Sequence, residues 1–273
     1  REAYDLWCAA GREGDAMGYI FPIHGRRPLD LERIDAKIGA FAMDASTPVA
    51  SGTWEAAYGA AQSALTALDA VLGGDRAAFA LCRPPGHHCG ADYMGGYCYL
   101  NNAAIAARAA QARGLSRIAI LDVDYHHGNG TQDIFYADGE VLFASIHADP
   151  KTDFPFYWGH ADERGEGAGA GATLNLPLPQ GADWSGYAPA LETALDAVRA
   201  HAADLLIVSY GADTFADDPI SHFRLAREDY IAMGAAIAAL DLPTLVVMEG
   251  GYAVDALGAN VAAFLGGMER APS

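Results

Sequence analysis

At 273 residues, 52% of them hydrophobic, the chain has enough apolar material for one large α/β domain and too little length for several. Its 17 basic and 35 acidic residues give a formal net charge of −18, a surface that repels nucleic acid and anionic membranes and attracts cations. No apolar run is long enough to cross a bilayer, and the four cysteines form no CxxC pair, so a reducing, cytoplasmic setting is expected and a disulfide framework is not.

The start, Arg1 to Trp7, carries neither an initiator Met nor a signal-peptide pattern. Residues 13–52, with Pro22, Pro28, Pro48 and several glycines, read as a long loop excursion near an active-site rim, holding one helical turn at 31–38. An Ala-rich amphipathic helix follows at 53–72 and stops at Gly73-Gly74. A short buried strand at 77–82 precedes a helix at 98–112. Strands are expected at 117–121, 141–146, 204–209 and 243–248, and helices at 184–201, 228–240 and 253–265. Continuous apolar strands, each followed by a helix, predict a mostly parallel sheet covered on both faces. The glycine-rich tract 165–171 lacks the GxGxxG register after a strand and reads as a plain loop.

In an open parallel sheet, ligands gather outside the carboxyl ends of the strands. The ionisable residues of this chain fall there: Arg83 to His88, then Asp122, Asp124 and His126, then His147, then Asp213, then Glu249 to Tyr252. In Leu121-Asp-Val-Asp-Tyr-His-His-Gly-Asn-Gly130 the acid and imidazole groups recur every second residue, which puts Asp122, Asp124 and His126 on one face of an extended chain. An acidic turn with incidental histidines is the bland alternative. Asp124, His126 and Asp213 form a candidate metal set: two carboxylates and one imidazole leave room for water and substrate. Such an oxygen-rich set leaves Fe2+, Co2+ and Mn2+ open beside zinc. His87 and His88, in a stiff Pro-Pro-Gly loop, can flank the attacking water as acid and base, with Asp122 and Asn129 as partners on their far nitrogens. Tyr252, after two glycines, can donate to a developing oxyanion.

Together, Arg83-Pro-Pro-Gly-His-His88, Gly95-Gly-Tyr-Cys98, the Leu121–Gly130 stretch, Ser209-Tyr-Gly-Ala-Asp213 and Glu249-Gly-Gly-Tyr252 resemble the histone deacetylase superfamily. Asn129 is similar to the class II branch, and the closest likeness is to bacterial acetylpolyamine amidohydrolases. The resemblance implies a three-layer α/β/α arginase–deacetylase fold whose N-terminal part, a strand and helices, is missing before Arg1. It implies Zn2+ on Asp124, His126 and Asp213, with His88 as general base and His87 as its electrostatic or acid partner. Asp122 and Asn129 would orient these two, and Tyr252 would polarise the amide carbonyl. Tyr97 and Phe154 would wall the substrate channel beside the Gly96 carbonyl. Structural K+ would sit on Asp122, the Ser145 hydroxyl and the carbonyls of Asp124, His126 and Ile146, and a second cation near Phe135, Asp138 and Val141. Asp35 and Asp44 are candidate contacts for a substrate ammonium, and a homodimer is implied.

The expected function is therefore removal of acetyl groups from small cationic amines, acetylpolyamines first. An acetyl-lysine protein deacetylase and an inactive scaffold binding acetylated ligands are the alternatives. A two-manganese ureohydrolase needs bridging Asp and His residues that these motifs lack.

Overall fold

The computed structural model describes residues 1–11, 14–21 and 31–269. Its centre is a six-stranded sheet in which all neighbours are parallel. The strands are β1 (Ala77–Ala80), β2 (Ile118–Asp122), β3 (Val141–Ala148), β4 (Thr173–Leu178), β5 (Leu205–Tyr210) and β6 (Thr244–Met248), in the order β1-β6-β5-β2-β3-β4.

The strands alternate their side chains between two cores. Ile118, Ile120, Leu205, Ile207, Leu245 and Val247 point to the face covered by α3 (Thr53–Leu72), α4 (Asn102–Ala112) and α5 (Asn129–Phe135). Ala119, Leu121, Leu206, Val208 and Val246 point to the face covered by α6 (Trp184–His201), α7 (Arg227–Ala238) and α8 (Val254–Glu269). Burial on both sides explains why β2, β3, β5 and β6, buried at every position, read as mainly apolar runs rather than alternating ones. Helices on both faces make the three-layer α/β/α fold expected from the sequence.

The differences from the sequence reading have local causes. The fourth helix begins at Asn102, not at residue 98, because the Asn101 side chain accepts the Ala104 N–H at 2.9 Å and caps it there. β3 runs on to Ala148, so His147 lies inside a strand rather than beyond its end. β4 had no counterpart in the sequence reading. It is an edge strand whose Pro177 pairs with His147 of β3, a place where a missing N–H is tolerated. The seven-residue α5 is a further element absent from the expected set of helices.

Residues 14–21 and 31–52 are anchored rather than a free excursion. With α1 (Glu2–Ala9) and α2 (Ile34–Gly39) they build a small third core of Ala3, Tyr4, Trp7, Ile38, Ala42, Val49 and Met94. An Ala42–Met94 bridge ties it to the segment after β1. Pro22 and Pro28 lie outside the described residues.

Candidate active site

The sheet order fixes where a site forms. From β2 the chain goes through α5 to β3 on one side. From its neighbour β5 it goes through α7 to β6 on the other side, across the opposite face. The connections diverge between β2 and β5, and a crevice opens at their carboxyl ends. Asp124 and His126 leave β2 into this crevice, and Asp213 enters it from β5.

One ligand atom from each of Asp124, His126 and Asp213 lies within 4.8 Å of the others. His126 Nδ1 is 3.0 Å from Asp213 Oδ2 and 3.4 Å from Asp124 Oδ1. Backbone donors orient the carboxylates: His126 N–H and Gly250 N–H donate to Asp124 at 2.8 Å each, and Tyr125 N–H donates to Asp213 at 2.9 Å. Two glycines allow this crowding. A Cβ on Gly211 would stand 2.1 Å from Asp124 Oδ2, and one on Gly250 would stand 2.7 Å from both Asp124 Oδ2 and Asp213 Oδ2. Burial, then the Asp124 charge, pushes the Asp213 carboxyl up to about 7. Two buried carboxylates facing one imidazole fit a divalent cation, whose charge relieves their repulsion.

His87 and His88 lie beside this cluster with ring centroids 4.0 Å apart and their planes tilted by 43°. His87 Nδ1 meets Asp122 Oδ2 at 3.0 Å, and His88 Nδ1 meets Asn129 Oδ1 at 2.7 Å. The two imidazoles are driven in opposite directions. Burial would lower the His87 pKa, but Asp122, Asp124 and Glu249 outweigh it and hold it well above its ordinary value. His88 is held well below by burial, then by His87 and His126. A cationic and a neutral imidazole side by side are a proton donor and a proton acceptor.

Gly128 and Gly130 serve close approach. Added Cβ atoms would stand 2.2 Å from Asp122 Oδ2 and 2.2 Å from the Cys89 carbonyl oxygen, respectively.

A narrow cavity of about 170 Å³ leads to the cluster, lined by Ser46, His88, Gly96, Tyr97, His126, Phe154, Ile220 and Tyr252. Phe154 meets the His88 ring edge-on at 5.0 Å, and Tyr97 meets the Tyr252 ring at 6.0 Å. Gly96 and Tyr97 both have positive φ, 53° and 66°. That conformation is strained for a tyrosine. It is held by Gly96 N–H donating to Asp44 Oδ2 at 2.6 Å and Tyr97 N–H donating to Thr47 Oγ1 at 3.0 Å. Asp44 is thus engaged with backbone. Asp35 sits in the first turn of α2, its carboxylate turned to Arg33 at 2.5 Å, and is not among the lining residues. Tyr252 N–H donates to Asp218 at 2.7 Å, and burial, then Asp213 and Asp124, holds its phenol protonated.

Asp122 and Ser145, expected around potassium, are register partners on β2 and β3. The Ser145 hydroxyl lies 2.8 Å from His147 Nδ1.

Sequence reasoning gave no role to Glu249 or Asp218. Buried Glu249 accepts Gly86 N–H at 2.7 Å, His87 N–H at 3.1 Å and the Ser209 hydroxyl at 3.0 Å, binding the histidine loop to β5 and β6. A carboxylate directly after a Val-rich strand was the signal that could have found it. Asp218 caps a loop distant in sequence and left no signal.

Residues 20–268 match the histone deacetylase domain family. The chain belongs to the histone deacetylase family. Among its relatives, acetylpolyamine amidohydrolase 2 of Pseudomonas aeruginosa is 51% identical over 269 residues, covering 98% of this chain and 78% of that protein. The acetylpolyamine amidohydrolase of Mycoplana ramosa is 50% identical over 266 residues, 97% of this chain and 78% of that one. A crystal structure of acetylpolyamine aminohydrolase from Burkholderia pseudomallei superimposes with a TM-score of 0.92 at 45% identity, covering 98% of this chain and 78% of that chain. This histone deacetylase-family enzyme therefore carries the arginase–deacetylase sheet of its structural neighbours, with the carboxylate–imidazole cluster at its switch point.

Proposed function

We propose that the chain is a zinc-dependent amidohydrolase that removes acetyl groups from small cationic amines, acetylpolyamines first. The observation that carries this is the aromatic-walled cavity lined by His88 and by His126 of the Asp124–His126–Asp213 cluster, with His87 set on Asp122 and His88 on Asn129. The names of the relatives at about half identity support the substrate class.

Asp124, His126 and Asp213 would hold the zinc ion, which when bound supplies Lewis-acid polarisation of the amide carbonyl and acidifies water. His88 takes the proton of the attacking water, its Nδ1–H held on Asn129. Tyr252 keeps its phenol proton and donates it as a hydrogen bond to the oxyanion that develops on the carbonyl oxygen as water adds to the carbonyl carbon. His87, kept protonated by Asp122, gives a proton to the leaving nitrogen. The C–N bond breaks, and acetate and a free amine depart. Tyr97 and Phe154 grip the aliphatic stem by its sides, and Gly96 offers its carbonyl. Asp44 acts on the substrate only through the Gly96–Tyr97 turn. Structural K+ on Asp122, Ser145, Asp124, His126 and Ile146, and a homodimer, belong to the same proposal.

The substrate class is tested by comparing kcat/KM for acetylputrescine, for the neutral analogue N-butylacetamide and for an acetyl-lysine peptide. Acetylputrescine is expected to lead. A peptide preferred over the diamine overturns the small-amine reading.

A further inference from the structure

From His88 and Asn129 a hydrogen-bonded chain runs on through residues not assigned above to the protein surface. Asn129 Oδ1 faces His88 Nδ1 at 2.7 Å. On its other side Asn129 Nδ2 donates to the Tyr93 hydroxyl at 3.1 Å, with longer contacts to Met43 Sδ at 3.3 Å and the His88 carbonyl at 3.4 Å. Tyr93 in turn donates to Asp133 Oδ2 at 2.6 Å. The second oxygen of Asp133 accepts the Trp158 indole N–H at 3.1 Å, and Trp158 lies on the segment that carries Phe154.

The direction of this chain follows from donor counting. A carboxylate only accepts, and a phenol has a single hydrogen. With that hydrogen committed to Asp133, the Tyr93 oxygen presents only lone pairs to Asn129. Burial, then the Asp133 charge, holds the phenol well above its ordinary range, so the hydrogen stays in place. The two ends of an asparagine amide have nearly the same shape, so partners must choose between them. A reversed amide would set Oδ1 against a phenol oxygen without a free hydrogen, two acceptors facing each other. With the amide fixed, His88 Nδ1 carries the hydrogen and its Nε2 keeps the lone pair.

We propose that Tyr93 and Asp133 are positioning residues for His88: through Asn129 they set the Nδ1–H tautomer that leaves Nε2 free to accept a proton. The role rests on the reading of His88 as general base. Asp133 also joins the relay to the wall of the cavity through Trp158.

The test uses the full chain labelled with 15N-histidine, with His88 signals assigned by their absence in His88→Ala. The long-range 1H–15N spectrum reads the tautomer whether or not the protein turns over. The wild type is expected to show the Nδ1–H form. Tyr93→Phe removes the hydroxyl that fixes the amide. Asp133→Asn can donate to Tyr93 and so frees the phenol hydrogen to swing toward Asn129. Both variants are expected to show mixed His88 tautomers and a kcat reduced about tenfold, with KM, metal content and melting temperature near wild type. Wild-type His88 tautomer in both variants overturns the proposal, whatever their turnover. Wild-type turnover in His88→Ala overturns the base assignment instead, and the tautomer spectrum still decides the relay.

Discussion

Asp124 and Asp213 are carboxylates that burial and mutual repulsion would leave unhappy together, and His88 is an imidazole that the same environment keeps neutral. These opposed tendencies divide the work among the residues. His88→Ala is expected to lower kcat by ~10²–10⁴-fold while metal content stays at the wild-type level, because the ring orients and accepts a proton but binds nothing. Asp213→Ala is expected to lose the metal itself on dialysis. Equal metal content in the two variants, measured by elemental analysis, would contradict the ligand assignment. A second titration belongs to stability rather than catalysis. Burial lowers the His147 pKa to about 4, against bonds from Gly159 and Ser145 that raise it. A folded pKa below the unfolded value of about 6.5 means that the native state resists the proton. Its contribution is full above about pH 6.5 and falls away as pH drops toward 4, a loss of ~3 kcal/mol. Urea unfolding across that window should show this slope in the wild type and a shallower one in His147→Gln. Identical slopes would contradict the assignment.

The elements set how close these residues come. The divergence of connections beside β2 and β5 creates the crevice, and the glycines at 211 and 250 let the backbone press onto the carboxylates. Gly211→Ala, which would put a methyl 2.1 Å from Asp124 Oδ2, is expected to weaken metal binding at least tenfold in a competition titration with little loss of secondary structure. Unchanged affinity would mean that the crowding is relaxed by a backbone shift. Much of this was legible beforehand. The period-two spacing of Asp122, Asp124 and His126 and the apolar strands before each polar cluster are local patterns, and a parallel sheet turns them directly into a site. The rest was hidden for physical reasons. β4 combines Asn175 and Pro177 with partial burial, so it lacks the continuous apolar run of a central strand. The start of α4 depended on a cap at Asn101 that competes with an equally helical upstream sequence. Glu249 and Asp44 stood out by position, but the backbone groups that they and Asp218 hold lie from 34 residues away for Asp218 to 163 for Glu249, and no spacing rule reaches that far.

At the scale of the whole molecule, a net charge of −18 surrounds a cavity proposed to take a cation. Such a field raises the local concentration of a positive substrate and is screened by salt. The kcat/KM for acetylputrescine should therefore fall severalfold between about 20 and 300 mM NaCl, whereas N-butylacetamide should be insensitive, as judged from initial rates. Equal salt dependence for the two would contradict steering. The fold and the family membership agree with the proposed chemistry, hydrolysis of an acetamide, and Asp124, His126 and Asp213 form a cluster that could hold the metal it needs. The most direct test is acetate release from acetylputrescine by zinc-loaded protein, with a chelated sample and a chelated sample given zinc again. Turnover that is abolished by the chelator and restored by the metal is expected. Zinc-bound protein that releases no acetate, or turnover indifferent to chelation, would contradict it.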